Sequence, residues 1–173
     1  MSIGEAVAAA SAYLTAHPDE ARYRDTMAVA RLDSGLAVMV TGADGATLRT
    51  DMPSGVGGTA SAPSPGWFLR AAEASCVASL VAMRAAALGI DIGPIEVEVD
   101  SESDDRGILG LSDEVPAGPL SSRIVVTITA PGRSPGEIED LARWAVGHCP
   151  VTDAVRRAVP LEVVVRGGEA VSR

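Results

Sequence analysis

The sequence predicts an α+β domain with antiparallel strand runs around one long apolar helix. Three observations predict it. Short alternating apolar runs near the start are separated by Asp/Ser/Gly turns. A stretch of about 24 small and apolar residues follows a Ser-Pro start. After it, strand-like and helix-like segments come in an order that leaves no alternating βαβ series. At 173 residues the chain is long enough for one domain with a real core, and it contains no internal repeat and no dividing linker.

The elements follow in order. Residues 3–16, "IGEAVAAASAYLTA", read as an Ala-rich helix stopped by His17-Pro18. "DTMAVARL", "LAVMVTG" and "ATLRTDM" are three strands of a meander, with turns at Asp33-Ser34-Gly35 and Ala43-Asp44-Gly45. "PSGVGGTASAPSPG" is a loop that delivers the chain to the long helix, Pro65 to Leu88. Ser64 suits its N-cap, Pro65 its first turn and Gly89 the position after its end. Apolar side chains on nearly all of its faces predict burial on most sides, more than one small sheet can supply. A homodimer that buries these helices together is the expected remedy. "PIEVEVDSESD" and "SSRIVVTITAP" read as further strands, with a loop between them. "SPGEIEDLARWAVGH" carries a capping box, Ser134 with Glu137, at a helix start. A short helix after Cys149-Pro150 and a terminal strand, "PLEVVVRG", complete the order.

Composition narrows the function. The net charge is −9, the pI is near 4.6 and all 14 basic residues are arginine, so nucleic acid and anionic membranes are not expected partners. Aromatic residues at 3% leave no stacking platform for single strands. The start lacks a basic, apolar leader and no run is long enough to span a membrane, so the reading is cytoplasmic. In that compartment two cysteines are reactive or buried thiols rather than a structural disulfide. The acidic run from Glu96 to Asp105 matches no metal loop and reads as a solvated edge. Two histidines and two cysteines lack zinc spacing, "GVGG" opens no phosphate-binding turn, and no metal or organic cofactor is expected.

The chemistry rests on Cys76 and Cys149. Cys149, before Pro150, sits where free N–H groups at a helix start favour a thiolate. Cys76 lies three turns inside an apolar helix, where burial raises a thiol's pKa. Taken alone, Cys76 is a packed core cysteine and Cys149 an inert cap as readily as a redox pair.

The spacing of Pro65 and Cys76 in "SPGWFLRAAEASCVASLVAMRAAALGI", together with "HCPVTDAVRRAVPLEVVV", resembles the OsmC/Ohr family of organic hydroperoxide resistance proteins. The likeness covers residues 26–166 and leaves residues 1–20 as an N-terminal helical extension to the single domain, 1–173. It implies an OsmC-like intertwined homodimer with a central buried helix. It also implies a thiol peroxidase: Cys76 attacks an organic hydroperoxide, Cys149 resolves the sulfenic acid as a disulfide, and a dithiol, of the lipoyl type in the Ohr branch, reduces it. In the family an arginine from the N-terminal strands supports the attacking thiolate, held by a glutamate directly after the helix-start proline. That position is Gly66 here. Glu73, three residues before Cys76, is the substitute carboxylate, or else an exposed edge residue. Arg31 is the first candidate for the arginine, with Arg24 and Arg22 behind it; Arg70 points elsewhere. The alternative function keeps the fold without the chemistry, as a binding protein for a small apolar ligand.

Overall fold

The computed structural model describes residues 1–167. Helix α1 spans Ile3–Ala16 and opens on a complete capping box, Ser2 with Glu5. A short 3-10 turn at Pro18–Ala21 leads to the meander of β1 (Ala28–Ser34), β2 (Ala37–Gly42) and β3 (Thr47–Thr50). The three strands form one antiparallel sheet in the order β1-β2-β3. Helix α2 is Pro65–Ala87, capped by Ser64, whose hydroxyl accepts the Trp67 N–H. β4 (Ile95–Glu102) and β5 (Ser121–Ile128) pair antiparallel, Val97 opposite Val126. Between them lies a one-turn helix, α3 (Asp105–Ile108). Helices α4 (Pro135–His148) and α5 (Pro150–Arg156) follow.

The core forms where α2 crosses the β4–β5 pair and α4. Glu73, Val77, Val81 and Ala85 recur every four residues and form the buried stripe of α2. Ile128, Leu141, Ala145 and Cys149 close on it from β5, α4 and the α4–α5 junction. The β4 burial pattern alternates strictly, half-buried then exposed, as a one-faced strand should. Helix α1 packs on the far end of α2 so closely that a side chain at Gly4 would meet the Ala86 carbonyl at 2.8 Å.

Two features of this fold bear on expectations from the sequence. Within one chain α2 is buried along one stripe only, and Ser75, Ser79 and Met83 on its opposite side are exposed. The small β4–β5 pair covers a single face, so the remaining apolar surface stays uncovered. The expected terminal strand does not form: residues 157–167 have no regular structure, and Leu161 and Val165 are each 86% exposed. A strand exists only where another strand completes its hydrogen bonds, and none is offered to this segment. The meander likewise packs chiefly on itself.

The loop between β3 and α2 is held by a single carboxylate. Asp51 is buried, and its Oδ2 accepts the N–H and hydroxyl of Thr59 (3.2 and 2.6 Å) and those of Ser61 (3.0 and 2.8 Å). Its Oδ1 accepts the Met52 N–H at 2.8 Å. A side chain at Gly58 would meet the Met52 carbonyl, so the loop closes back on the strand end only with glycine there. The Thr59 hydroxyl, with the Ser61 bonds, holds the Asp51 carboxyl well below its ordinary value of 3.8. A carboxyl depressed on folding stabilises the fold above its unfolded value, and that contribution drains away as pH falls below about 4 towards the folded value. Asp51→Asn leaves one acceptor and sets an amide donor against a backbone N–H. The variant is expected to melt at lower temperature at pH 7 and to lose much of the parent's acid sensitivity. Thermal melts of both proteins between pH 7 and pH 3 measure this; parallel curves with equal melting points would contradict it.

Candidate active site

Cys149 is the joint between two helices. It ends α4 and, in an extended conformation (φ −73°, ψ 116°), caps α5. Pro150 removes the N–H that would continue α4 and fixes the first turn of α5. The Cys149 sulfur therefore takes the place of a capping oxygen and accepts the Thr152 N–H at 3.4 Å. It is completely buried.

Cys76 reaches the same point from α2. The residue after it, Val77, belongs to the buried stripe, so Cys76 stands at the stripe's edge, half-buried. It packs against the buried cluster that holds Cys149, close enough for each thiol to shift the ionisation of the other. Both cysteines are free thiols.

The two sulfurs titrate in opposite directions. Burial raises the Cys76 pKa, and the neighbouring Cys149 with its charge raises it further; only the Val151 N–H opposes them. Burial acts against ionisation at Cys149 too. The bonded Thr152 N–H, the Cys76 thiol and the Val151 N–H oppose it, as does the Thr152 hydroxyl once the sulfur is charged, and together they lower the Cys149 pKa. When one proton leaves the pair, the negative charge rests on Cys149 and Cys76 keeps its proton.

A cleft of about 480 Å³ opens beside this pair, at the start of α2. Pro65, Gly66, Leu69, Arg70 and Glu73 form its α2 wall, Ser101, Ser122 and Ile108 face them, and Val155 of α5 closes one side. The sulfurs do not line it. Glu73, one turn before Cys76, forms part of its floor and is 2% exposed, with Ser122 Oγ at 3.5 Å as its side-chain partner. Arg70 Nη1 donates to Ser101 Oγ at 3.2 Å.

The other residues singled out in the sequence fall elsewhere. Arg31 lies opposite Met39 on β1, exposed, and Arg22 and Arg24 lie in the exposed stretch before it. Among the described residues no guanidinium shifts Cys76, and the meander that carries Arg31 packs chiefly on itself. Arg70, expected to point away from Cys76, faces the cleft. His148 turns from its neighbour Cys149, stacks on Trp144 at 4.1 Å and bonds the Trp144 carbonyl through Nδ1. Among the described residues, no three His, Cys, Asp or Glu side chains converge as a metal site would require.

Sequence reasoning missed Thr152 and Asp51. Thr152 is signalled by its place three residues after a capping cysteine. Asp51 is signalled by the Thr and Ser donors that follow it in the loop, a pattern of local carboxylate turns.

The family model for OsmC-like proteins matches residues 58–164. No curated protein shows significant sequence similarity to the chain. Among solved structures, an organic hydroperoxide resistance protein OsmC from Legionella pneumophila is 21% identical, with a TM-score of 0.59 over 78% of this chain and 91% of its own. An OsmC-like protein from Mycoplasma pneumoniae is 17% identical, with a TM-score of 0.66 over 78% and 89%. The organic hydroperoxide resistance protein OhrB of Bacillus subtilis is 20% identical, with a TM-score of 0.51 over 77% and 91%. These likenesses show a shared fold.

Proposed function

The chain belongs to the OsmC-like family, and on that premise we propose that it is a two-cysteine peroxidase that reduces organic hydroperoxides. The observation that carries this reading is the packing of the chain's only two thiols into one place, where each shifts the ionisation of the other, although they are far apart in sequence. The names of solved relatives, two of them hydroperoxide resistance proteins, support the substrate class.

Cys76 is the attacking sulfur because it retains some exposure, whereas Cys149 has none. Its thiolate attacks the terminal oxygen of the peroxide: an S–O bond forms, the O–O bond breaks, and the alkoxide leaves as the alcohol with the proton held by Cys149, which restores the Cys149 thiolate. The Cys149 thiolate then attacks the sulfenic sulfur. The S–S bond forms, and hydroxide departs as water. An external dithiol, the lipoyl type being one candidate, returns two electrons and two protons. Proton exchange within the pair moves the charge from Cys149 to Cys76 before attack. The apolar wall of the cleft, Leu69, Ile108 and Val155, suits the alkyl part of the substrate. Glu73 orients polar groups at its floor, and Arg31, exposed on the meander, serves the site only when a second chain folds it inward.

The unpaired segment 157–167, the self-packed meander and the bare side of α2 support a homodimer in which a second copy covers all three. Apolar surface left in water forgoes about 25 cal/mol per Å², and exposed apolar runs of this length mark interfaces.

A second reading has two observations in its favour: neither sulfur lines the cleft, and Gly66 stands where the family has its glutamate. The protein would then bind a small apolar ligand in the cleft without chemistry.

With an alkyl hydroperoxide and a dithiol, Cys76→Ser is expected to abolish peroxide consumption. Cys149→Ser should complete about one turnover and leave a sulfenic acid that a dimedone probe traps on Cys76. Trapping on Cys149 in the Cys76→Ser variant would reverse the roles. Intact thiols after peroxide treatment of the parent would favour the ligand-binding reading. Light scattering should give twice the 17.6 kDa chain mass at micromolar concentration; a monomer mass would contradict the dimer.

A further inference from the structure

The hydroxyl of Thr152 is the buried polar group that the scheme above leaves unused. The residue is 4% exposed, and its Oγ1 completes no hydrogen bond among the described residues. A buried hydroxyl without a partner is costly, and a valine of the same shape would avoid the cost. Such a group marks a place where a partner arises during function. The N–H of the same residue is bonded to the Cys149 sulfur at 3.4 Å, which sets the hydroxyl beside that sulfur. A neutral thiol is a weak acceptor, whereas an ionised sulfur is a strong one.

We propose that Thr152 is a positioning residue of the two-thiol site: its buried hydroxyl is the donor reserved for the anionic sulfur of Cys149, holding that sulfur ready to close the disulfide. The inference rests on the peroxidase reading for its purpose but on the geometry for its existence. When Cys149 attacks the Cys76 sulfenic acid, the S–S bond forms, the S–O bond breaks, and hydroxide leaves to become water. Thr152 gives up its bond to sulfur as the charge departs, and no proton is transferred from it.

The other ionisable groups around Cys149 do not supply this effect. From α2, Cys76 keeps its proton and Glu73 stands a turn away at the cleft floor. From α4, His148 is turned onto Trp144. On α5, Asp153 is paired with Arg157, and Arg156 is exposed. The Thr152 N–H already bonds the sulfur, and its unpartnered hydroxyl is the group that substitution removes.

The test follows the ionisation of Cys149 by ultraviolet thiolate absorbance against pH, in Cys76→Ser protein where it is the single thiol. Adding Thr152→Val is expected to raise the midpoint by about one pH unit, about a tenfold loss of thiolate below it. Adding Thr152→Ser should leave the midpoint in place. If the valine variant fails to fold by circular dichroism, Thr152→Ala compared with Thr152→Ser reads the same effect. In the two-cysteine protein, Thr152→Val should prolong the Cys76 sulfenic acid about tenfold without slowing its formation. Unchanged midpoints in the valine and alanine variants, or a serine variant that shifts with them, would overturn the proposal. A parent that forms no sulfenic acid would defeat the peroxidase reading, and the titration would still decide the role of Thr152.

Discussion

The rotation of one helix about its axis decides what this molecule can do. Glu73, Val77, Val81 and Ala85 must face the β4–β5 pair and α4, because they form the buried stripe of α2. That requirement fixes the direction of every other side chain on the helix. Cys76, one position before Val77, is carried to the edge of the core, against the junction of α4 and α5. Glu73 and Arg70, one and two turns earlier, are carried into the cleft. A rotation of α2 by one residue, about 100°, would bury Cys76 in place of Val77 and part it from Cys149. Core packing and the thiol contact are therefore one constraint.

The second helix junction divides the work between the sulfurs. Cys149 is placed by Pro150 at a cap, where backbone N–H groups and the Thr152 hydroxyl favour its ionised form despite burial. Cys76 has little such support and keeps its proton, yet it retains access to solvent. The charge thus rests on the fully buried sulfur, beside the one that keeps some exposure. The proposed chemistry needs that charge to cross from one sulfur to its neighbour, a short path compared with recruiting a distant cation. Among the described residues no guanidinium acts on Cys76, in agreement with Gly66 in place of the family's glutamate.

Much of this was legible in the sequence. The helix starts at Ser64-Pro65 and Ser134-Pro135, the Cys149 cap and the meander all lie where capping and turn chemistry put them, since those signals act over a few residues. The pairing of Cys76 with Cys149 came through the family likeness and not from spacing, because no local rule links residues on different helices. Local physics did give the sign of the acidity difference between them. What was not legible depends on long-range cover. The last strand was read from "LEVVV", a sound β pattern, but a pattern cannot supply the neighbour that completes its hydrogen bonds. The burial of α2 on most sides was read from its apolar residues, and one chain covers a single stripe. Arg31 was placed by its turn, and the meander that carries it stands apart from α2. Asp51 and Thr152 went unread because their importance lies in burial, which the sequence does not display.

The central claim is that the two thiols form one redox unit, and a stoichiometry tests it most directly. Free thiols are counted in the reduced protein before and after addition of one equivalent of an alkyl hydroperoxide, and the non-reduced digest is examined by mass spectrometry. The account requires two thiols lost for each peroxide consumed, recovered as a Cys76–Cys149 cross-link within one chain. Loss of a single thiol, a cross-link only between chains, or no loss at all would contradict it.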